Sequence, residues 1–434
     1  MAPAKGKVSF VTGNNGITGN AIIEHPIRKP EPEWSKIIIT SRRVPKQSVW
    51  QDHRVKFIAL DFLNPVEELI KHMAPLCHDV THAFFTSYVH TANFAKLRDS
   101  NIPSFHNFLV AIDIVAASTL QRVCLQTGGK CYGPHLGPTE APLHEEMGRY
   151  EDKGENSYYP QEDFLSTLAP KRSWNWNVIR PNAIIGYTPA GNGMSMTLTL
   201  AIYMLVCRKM GVPPMFPGNK FFFNQCVDDS PYAPSIADLS VWAVTDEHTE
   251  NEAFNHQNGD VFVWKQLWGK LGRHFGIEVP EFTEWTAEGD QQRMANNFLM
   301  TEWHKDKKQV CFRVGYMDLF DWAVGKDWLT IGSVGKARKL SWKRYDDTYD
   351  TDVETFRAFE NAGVLPYADV LRAENKSQST QASLAPHPYD AVTLMKGKVK
   401  KEQNGVATNG VNHEGLKNGL HNVHVDNGDL AVKV

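Results

Sequence analysis

The chain has 434 residues, with 46 Lys and Arg against 49 Asp and Glu and a formal net charge of −3, a balance that gives no electrostatic case for a nucleic-acid or acidic-membrane partner. With 42% hydrophobic, 11% aromatic and 22% charged residues, the composition is that of a globular protein long enough for a sizeable core, so disorder throughout is excluded. The longest apolar stretches, such as residues 196–206, are too short or too polar for the roughly 20 residues of a bilayer span. No apolar signal region with a small-residue cleavage site opens the chain, so a cytoplasmic location is expected. Cys77, Cys124, Cys131, Cys207, Cys226 and Cys311 form no CxxC pair and read as reduced thiols. The 17 histidines lack the grouping of metal ligands, and no metal is expected.

Six segments rich in β-branched and aromatic residues read as strands: KVSFVTG, KIIITSR, VKFIALDF, THAFFTSY, RVCLQTG and NWNVIRP. Most end in Gly, Ser, Thr or Pro, as buried parallel strands opening into functional loops do. Between the fourth and fifth, Phe105, Phe108, Leu109, Ile112, Val115 and Ala116 keep the spacing of an amphipathic crossover helix. Beyond Gly186, helical stretches at 194–210, 235–247 and 262–275 alternate with Pro-rich turns. From about Glu374 the chain is polar and poor in bulky apolar residues and cannot bury enough surface to offset ordering.

The expected fold is α/β: a Rossmann-like doubly wound parallel sheet with a smaller, mostly helical C-terminal substrate region. Its expected divisions are a nucleotide-binding domain over 1–190 with strands returning from later segments, a substrate-covering region over 191–366, and a flexible polar tail over 367–434. The Asn375-Lys376-Ser377 sequon in that tail is expected to be inert without a secretory signal.

Chemistry starts at Val11-Thr12-Gly13-Asn14-Asn15-Gly16-Ile17-Thr18-Gly19, between the first strand and the first helix. Glycines three apart allow a tight turn, close approach of a pyrophosphate and packing of the helix on the strand, while the helix N-terminus favours the anion. The alternative is a plain glycine-rich turn. The second strand ends in Ser41-Arg42-Arg43 instead of the acidic residue that grips both ribose hydroxyls of NAD. Arginine there pairs with a 2′-phosphate, which favours NADPH; an ordinary basic loop is the other reading. Asp61-Phe62 closes the third strand, where it caps an adenine edge or simply makes a turn.

After the fifth strand, Thr127-Gly128-Gly129-Lys130-Cys131 places a lysine where it hydrogen-bonds a nicotinamide ribose and lends positive charge to a developing oxyanion, or else sits in a solvated loop. Tyr158 and Tyr159 open a helical stretch, where a hydroxyl serves as donor or the pair merely packs. The Tyr-x-x-x-Lys spacing usual in short-chain dehydrogenases is missing here.

These stretches together resemble the progesterone 5β-reductase and iridoid synthase-like (PRISE) group of extended short-chain dehydrogenase/reductases, over about residues 5–366. The similarity is carried by TGNNGITG, SRRVP, DVTHAFFTSY, LQTGGKCYGP, NSYYPQEDFL, WNVIRPNAIIGYTP and NEAFNHQNGDVFVWKQLW. It implies that Lys130 is the motif lysine and Tyr158 the motif tyrosine, that Thr86 and Ile184 contact NADPH, Ile184 beside the nicotinamide, and that an activated C=C bond of an enone or enal is reduced. Where the group often carries His after the lysine, Phe before the tyrosine pair and Trp near the pocket, this chain has Cys131, Ser157 and Tyr88. Tyr88 is thus expected to touch a substrate that is neither a steroid nor an iridoid, in a specialised-metabolite role. Ketone or aldehyde reduction, a non-reductive cyclase and an NADP-sensing regulator are the alternatives. The expected partner is a small-molecule carbonyl substrate, with a homodimer as the default assembly.

Overall fold

The computed structural model describes residues 6–44, 50–89, 94–151, 154–189, 195–279, 285 and 317–373. Cys311 and the chain from Glu374 on, with its sequon, lie outside the described residues. The six segments expected as strands are β1 (Lys7–Thr12), β2 (Trp34–Ser41), β3 (Val55–Ala59), β4 (His82–Phe85), β5 (Arg122–Gln126) and β6 (Asn175–Pro181). Later in the chain β7 (Val227–Asp228) and β9 (Phe262–Val263) form a small antiparallel ribbon, and β8 (Glu252–His256) joins the main sheet. The seven-stranded sheet runs β3-β2-β1-β4-β5-β6-β8, with every neighbour parallel. The order reverses between β1 and β4, and a crevice opens there beyond the carboxyl ends of the strands.

Because successive strand residues face opposite sides, each strand feeds two cores. Phe10, Phe85 and Val123 point to one face, under α2 (Val66–Cys77), α3 (Phe94–Val115) and α4 (Tyr158–Leu168). Val11, Ile37, Ile39 and Phe84 point to the other, under α1 (Ile17–Ile27) and α7 (Ala233–Thr245). The apolar stripe of α3 is as the spacing predicts: Phe105, Phe108, Leu109 and Ile112 are fully buried, with Ala116 just beyond the helix. The helix also reaches back past Pro103 to Phe94.

The expected later helices are α5 (Met196–Met210), α7 and α8 (Trp264–His274), and a short α6 (Lys220–Asn224) lies between the first two. With helices Met317–Val324 and Thr348–Asn361, α5, α6 and α8 enclose a third core. At its centre Trp268 stands edge-on to Phe216 at 5.2 Å, its indole N–H donating to the Pro214 carbonyl at 2.9 Å. Residues 367–373, assigned to the tail by composition, pack on this region. Ala368 is buried, Arg208 Nη2 donates to the Leu371 carbonyl and Arg372 Nη1 to the His274 carbonyl, both at 2.6 Å. Among the described residues no helix is long and apolar enough to cross a membrane, and no group of three His, Cys, Asp or Glu side chains could hold a metal ion.

One buried cation sets where β2 begins. Arg54 donates to the carbonyls of Ile27, Lys29 and Trp34 at 2.7, 3.0 and 3.0 Å and pairs with Asp52 at 2.7 Å. It thereby ties the end of α1 to β2 and β3. The hydrogen bond from Arg54 holds the Asp52 carboxyl down at about 2, below its ordinary 3.8. A lowered carboxyl pKa contributes stability that is complete above 3.8 and is lost as the pH falls through about 2. Asp52→Asn is expected to destabilise by about 1.5–3 kcal/mol at neutral pH. In urea titrations across pH, its deficit should shrink over that acid window.

Candidate active site

The crevice is built first from backbone. At its two sides Thr12 Oγ1 accepts from the amides of Thr86 and Ser87 at 3.0 and 3.1 Å, while Thr86 Oγ1 donates to the Thr12 carbonyl at 2.6 Å. The ends of β1 and β4 are thus clamped together. Gly13 then takes a left-handed turn, φ +67°, and the Gly16 amide closes back on its carbonyl at 2.8 Å. A Cβ on Gly19 would overlap that same Gly13 carbonyl oxygen, so only glycine lets α1 start this close to the strand. Ile17 and Thr18 are buried in the first turn of α1. The Gly16 N-cap offers no side chain and the first turn holds no acid, so its amides face the crevice uncompensated. The Asn14 side chain is 1% exposed, with both amide atoms lacking a protein partner. An orphaned polar group and a cradle that excludes a Cβ fit the pyrophosphate of a dinucleotide.

At the far end of β2 the Ser41 carbonyl accepts from Leu60 at 3.1 Å, and Ser41 Oγ donates to the Arg43 carbonyl at 2.7 Å. The turn is fixed and leaves the Arg42 and Arg43 side chains exposed. Asp61 makes a turn, accepting from the amides of Leu63 and Asn64. The Phe62 ring lies in the core, 5.5 Å from Phe108 and 6.1 Å from Phe85, so only the Phe62 backbone is left to face a nucleotide. Ile184 is half-buried against the α1/α7 core.

The other end of the candidate site is built from side chains. Beyond β5, residues Gly129–Tyr132 form a 3-10 turn. A Cβ on Gly129 would overlap Asn182 Oδ1, and one on Gly128 would stand 3.1 Å from the Pro181 carbonyl and 3.5 Å from Tyr158 Oη. The Tyr158 hydroxyl therefore reaches the start of the lysine turn. Asn156 joins the two segments, its Oδ1 accepting from the Tyr158 amide at 3.0 Å and its Nδ2 donating to the Lys130 carbonyl at 3.1 Å. Lys130 and Tyr158 open into one cleft of about 450 Å³ of empty space, part of it open to solvent, with Tyr88, Leu97, His135 and Tyr150 among its walls. Burial lowers the Lys130 pKa from 10.5 to about 8. Burial, reinforced by Tyr88 and Cys131, pushes the Tyr158 phenol well above its usual 10. The cleft thus presents a proton-bearing phenol and an ammonium that titrates near neutrality.

The structure groups Thr12, Gly13, Gly16, Ile17, Thr18, Gly19 and Thr86 around the crevice and Tyr88, Lys130 and Tyr158 around the cleft. Asn156 and Asn182 are functional candidates that sequence reasoning missed. The first lies two residues before Tyr158, within reach of its amide as an Asx-type partner, and that spacing was the available signal.

A family model described as a PRISE-like Rossmann-fold domain matches residues 9–351. The chain belongs to this family. Among PRISE-like relatives, the short chain dehydrogenase gsfE of Penicillium aethiopicum is 40% identical, over 83% of this chain and 99% of that protein. The 3-oxo-Δ(4,5)-steroid 5-β-reductase of Arabidopsis thaliana is 32% identical, over 81% and 92%. The (S)-8-oxocitronellyl enol synthase CYC2 of Camptotheca acuminata is 36% identical, over 64% and 71%. Of solved structures, yeast methylglyoxal/isovaleraldehyde reductase Gre2 complexed with NADPH superimposes with a TM-score of 0.55 at 12% identity, over 82% of this chain and 99% of that one. UDP-glucose 4-epimerase of Thermotoga maritima gives 0.58 at 15% identity, over the same shares. At these identities the structures speak for the shared Rossmann fold. The PRISE-like assignment also places the chain among the short-chain dehydrogenase/reductases.

The glycine cradle makes one firm prediction. Gly19→Ala forces α1 away from Gly13, so NADPH binding, read by quenching of tryptophan fluorescence, is expected to be lost while far-ultraviolet circular dichroism stays near wild type.

Proposed function

We propose that the protein is an NADPH-dependent reductase that adds hydride across the activated C=C bond of an enone or enal, in a biosynthetic role. The observation that carries this reading is the meeting of the Tyr158 phenol and Lys130 in one cleft, at the carboxyl end of β5 beside the glycine crevice. Gly13, Gly16 and Gly19 would hold the pyrophosphate, Arg42 and Arg43 the 2′-phosphate, and Lys130 the nicotinamide ribose. When bound, NADPH supplies the hydride. Three relatives support the choice: one is named as a 3-oxo-Δ(4,5)-steroid 5-β-reductase and two as (S)-8-oxocitronellyl enol synthases.

The residues then have distinct tasks. Tyr158 donates a hydrogen bond to the substrate carbonyl oxygen, where negative charge grows as the β-carbon accepts hydride. Its raised pKa keeps that proton in place throughout the working range. A donor fixed in advance and shielded from water stabilises the transition state more than the ground state. Lys130 adds positive charge from the same wall. Asn156 holds both backbones, so neither group has to search for its position.

Tyr158→Phe is expected to lower kcat about a hundred- to thousand-fold with NADPH affinity unchanged, measured as loss of absorbance at 340 nm on a panel of small enones and enals. Undiminished turnover would remove Tyr158 from the mechanism. Chromatography of the product decides the bond attacked: a saturated carbonyl supports the proposal, and an allylic alcohol replaces it with carbonyl reduction.

The Lys130 charge is present below its pKa of about 8 and lost above it, so kcat/KM should fall as the pH rises through that value. Lys130→Arg keeps its charge to beyond pH 12 and should abolish this alkaline limb, even where its overall rate is lower.

A further inference from the structure

Glu162 lies one helical turn beyond Tyr158 on α4, where a Tyr-x-x-x-Lys enzyme would carry its lysine. It is buried, yet its carboxylate reaches three other elements. Oε1 accepts from Thr127 Oγ1 at the end of β5 at 3.2 Å, and from the thiol of Cys131, the residue after Lys130, at 3.5 Å. From β6, Arg180 donates through Nη2 to Oε2 at 2.7 Å and through Nε to Oε1 at 3.2 Å. Arg180 Nη1 also donates to the Tyr132 hydroxyl at 3.2 Å, and that hydroxyl donates to Asn255 Oδ1 on β8 at 2.6 Å. The network therefore runs from the tyrosine helix, through both residues that follow Lys130, to the last strand of the sheet.

Its energetics point away from a purely stabilising role. Removing two charges from water offsets most of their attraction, and a well-packed apolar pair of similar volume is commonly as stable. What an ion pair with several directional partners provides is a single geometry. That geometry matters most at the Lys130 turn, because Lys130 sits between two restrained neighbours. Gly129 is pressed against Asn182. Cys131 is held by its thiol on Glu162 and by its carbonyl, which accepts from Tyr159 Oη at 2.7 Å.

We propose that Glu162, oriented by Arg180, is a positioning residue that locks the Lys130 turn to α4, so that ammonium and phenol converge on the same substrate atoms. This rests on the reductase reading and deepens it. In the cleft Lys130 is faced by Tyr158 from α4, by Tyr88 from the segment after β4, and by His135, Tyr150 and Glu155 from the intervening loops. Burial is what lowers its pKa. Removing the Glu162 charge should therefore change the Lys130 titration only by releasing the turn and admitting water, a shift that a merely structural role would not produce.

The test replaces the pair with apolar groups, Glu162→Leu together with Arg180→Met, in the full chain. Melting temperature should stay near wild type, while NADPH affinity should weaken, because Lys130 is also the proposed ribose ligand. The kcat on the best enone of the panel should fall about a hundredfold, the scale of a misplaced catalytic group, with KM little changed. The Lys130 pKa, followed in the unliganded protein by NMR of 13C-methylated lysines and assigned with Lys130→Arg, should rise from about 8 toward 10.5. A folded double variant with wild-type kcat and wild-type Lys130 titration overturns the proposal. If the wild-type protein reduces no enone or carbonyl, the reductase reading fails while the NMR titration still decides whether Glu162 positions Lys130. Should the double variant not fold, Glu162→Gln with Arg180→Met, which likewise removes both charges and leaves no buried cation unpaired, goes through the same measurements with the same deciding outcomes.

Discussion

Everything at the site depends on how the strand order reverses between the parallel neighbours β1 and β4. Two strands that run side by side send their chains to opposite sides, and the gap at their carboxyl ends would be a weak seam without a closure. Thr12 and Thr86 provide that closure by exchanging side-chain hydrogen bonds with each other's backbone. These bonds leave the crevice walls at a fixed separation, and the glycine turn, the arginine loop and the lysine turn all hang from strand ends set by it. A parallel sheet has few side chains to spare for function because both faces are buried, so the chemistry falls to the loops at one edge.

The two halves of the site solve different problems. The nucleotide end is shaped by what is absent: no Cβ at Gly19 and no acid in the first turn of α1. The proposed reacting end needs side chains, and those side chains need partial burial. In water a phenol and an ammonium are weak instruments, because solvent screens them and offers competing hydrogen bonds. Here burial keeps the Tyr158 proton bound and draws the Lys130 pKa down to about 8. The polar network around Glu162 and Arg180 holds this arrangement from below, where solvent cannot loosen it.

The sheet and its covering helices were legible because they rest on periodicity, and Phe105, Phe108 and Ile112 mark a helix face by spacing alone. β8 was harder and was not among the six segments expected as strands, since Glu252–His256 contains an acid, an amide and an imidazole. Its Asn255 is buried, accepting from the Tyr132 hydroxyl and donating to the Leu143 carbonyl, and no local pattern reports such partners. The same limit hid Glu162. Its place four residues after Tyr158 was visible, but its meaning depends on Arg180, brought alongside by the crossover from β5 to β6. Phe62 shows the reverse case. Its position at a strand end suggested a ligand contact, whereas its ring completes an aromatic cluster with Phe85 and Phe108.

The segment around Thr330 carries a consequence for how such a site is assembled. Trp328 donates to the Pro134 carbonyl, Asn182 to the Thr330 carbonyl, Leu143 to the Ile331 carbonyl, and Gly332 to Asp229. A late strap is thus stitched to the rims of loops that precede it by some 100 to 200 positions, a separation readable from those residue numbers. A fragment ending near residue 190 would keep the glycine cradle and the residues lining the Lys130 cleft, and lose only the ties that hold the surrounding loops from outside. The last third of the polypeptide thus acts as a brace, fastening from behind loops whose inner surfaces the first half supplies.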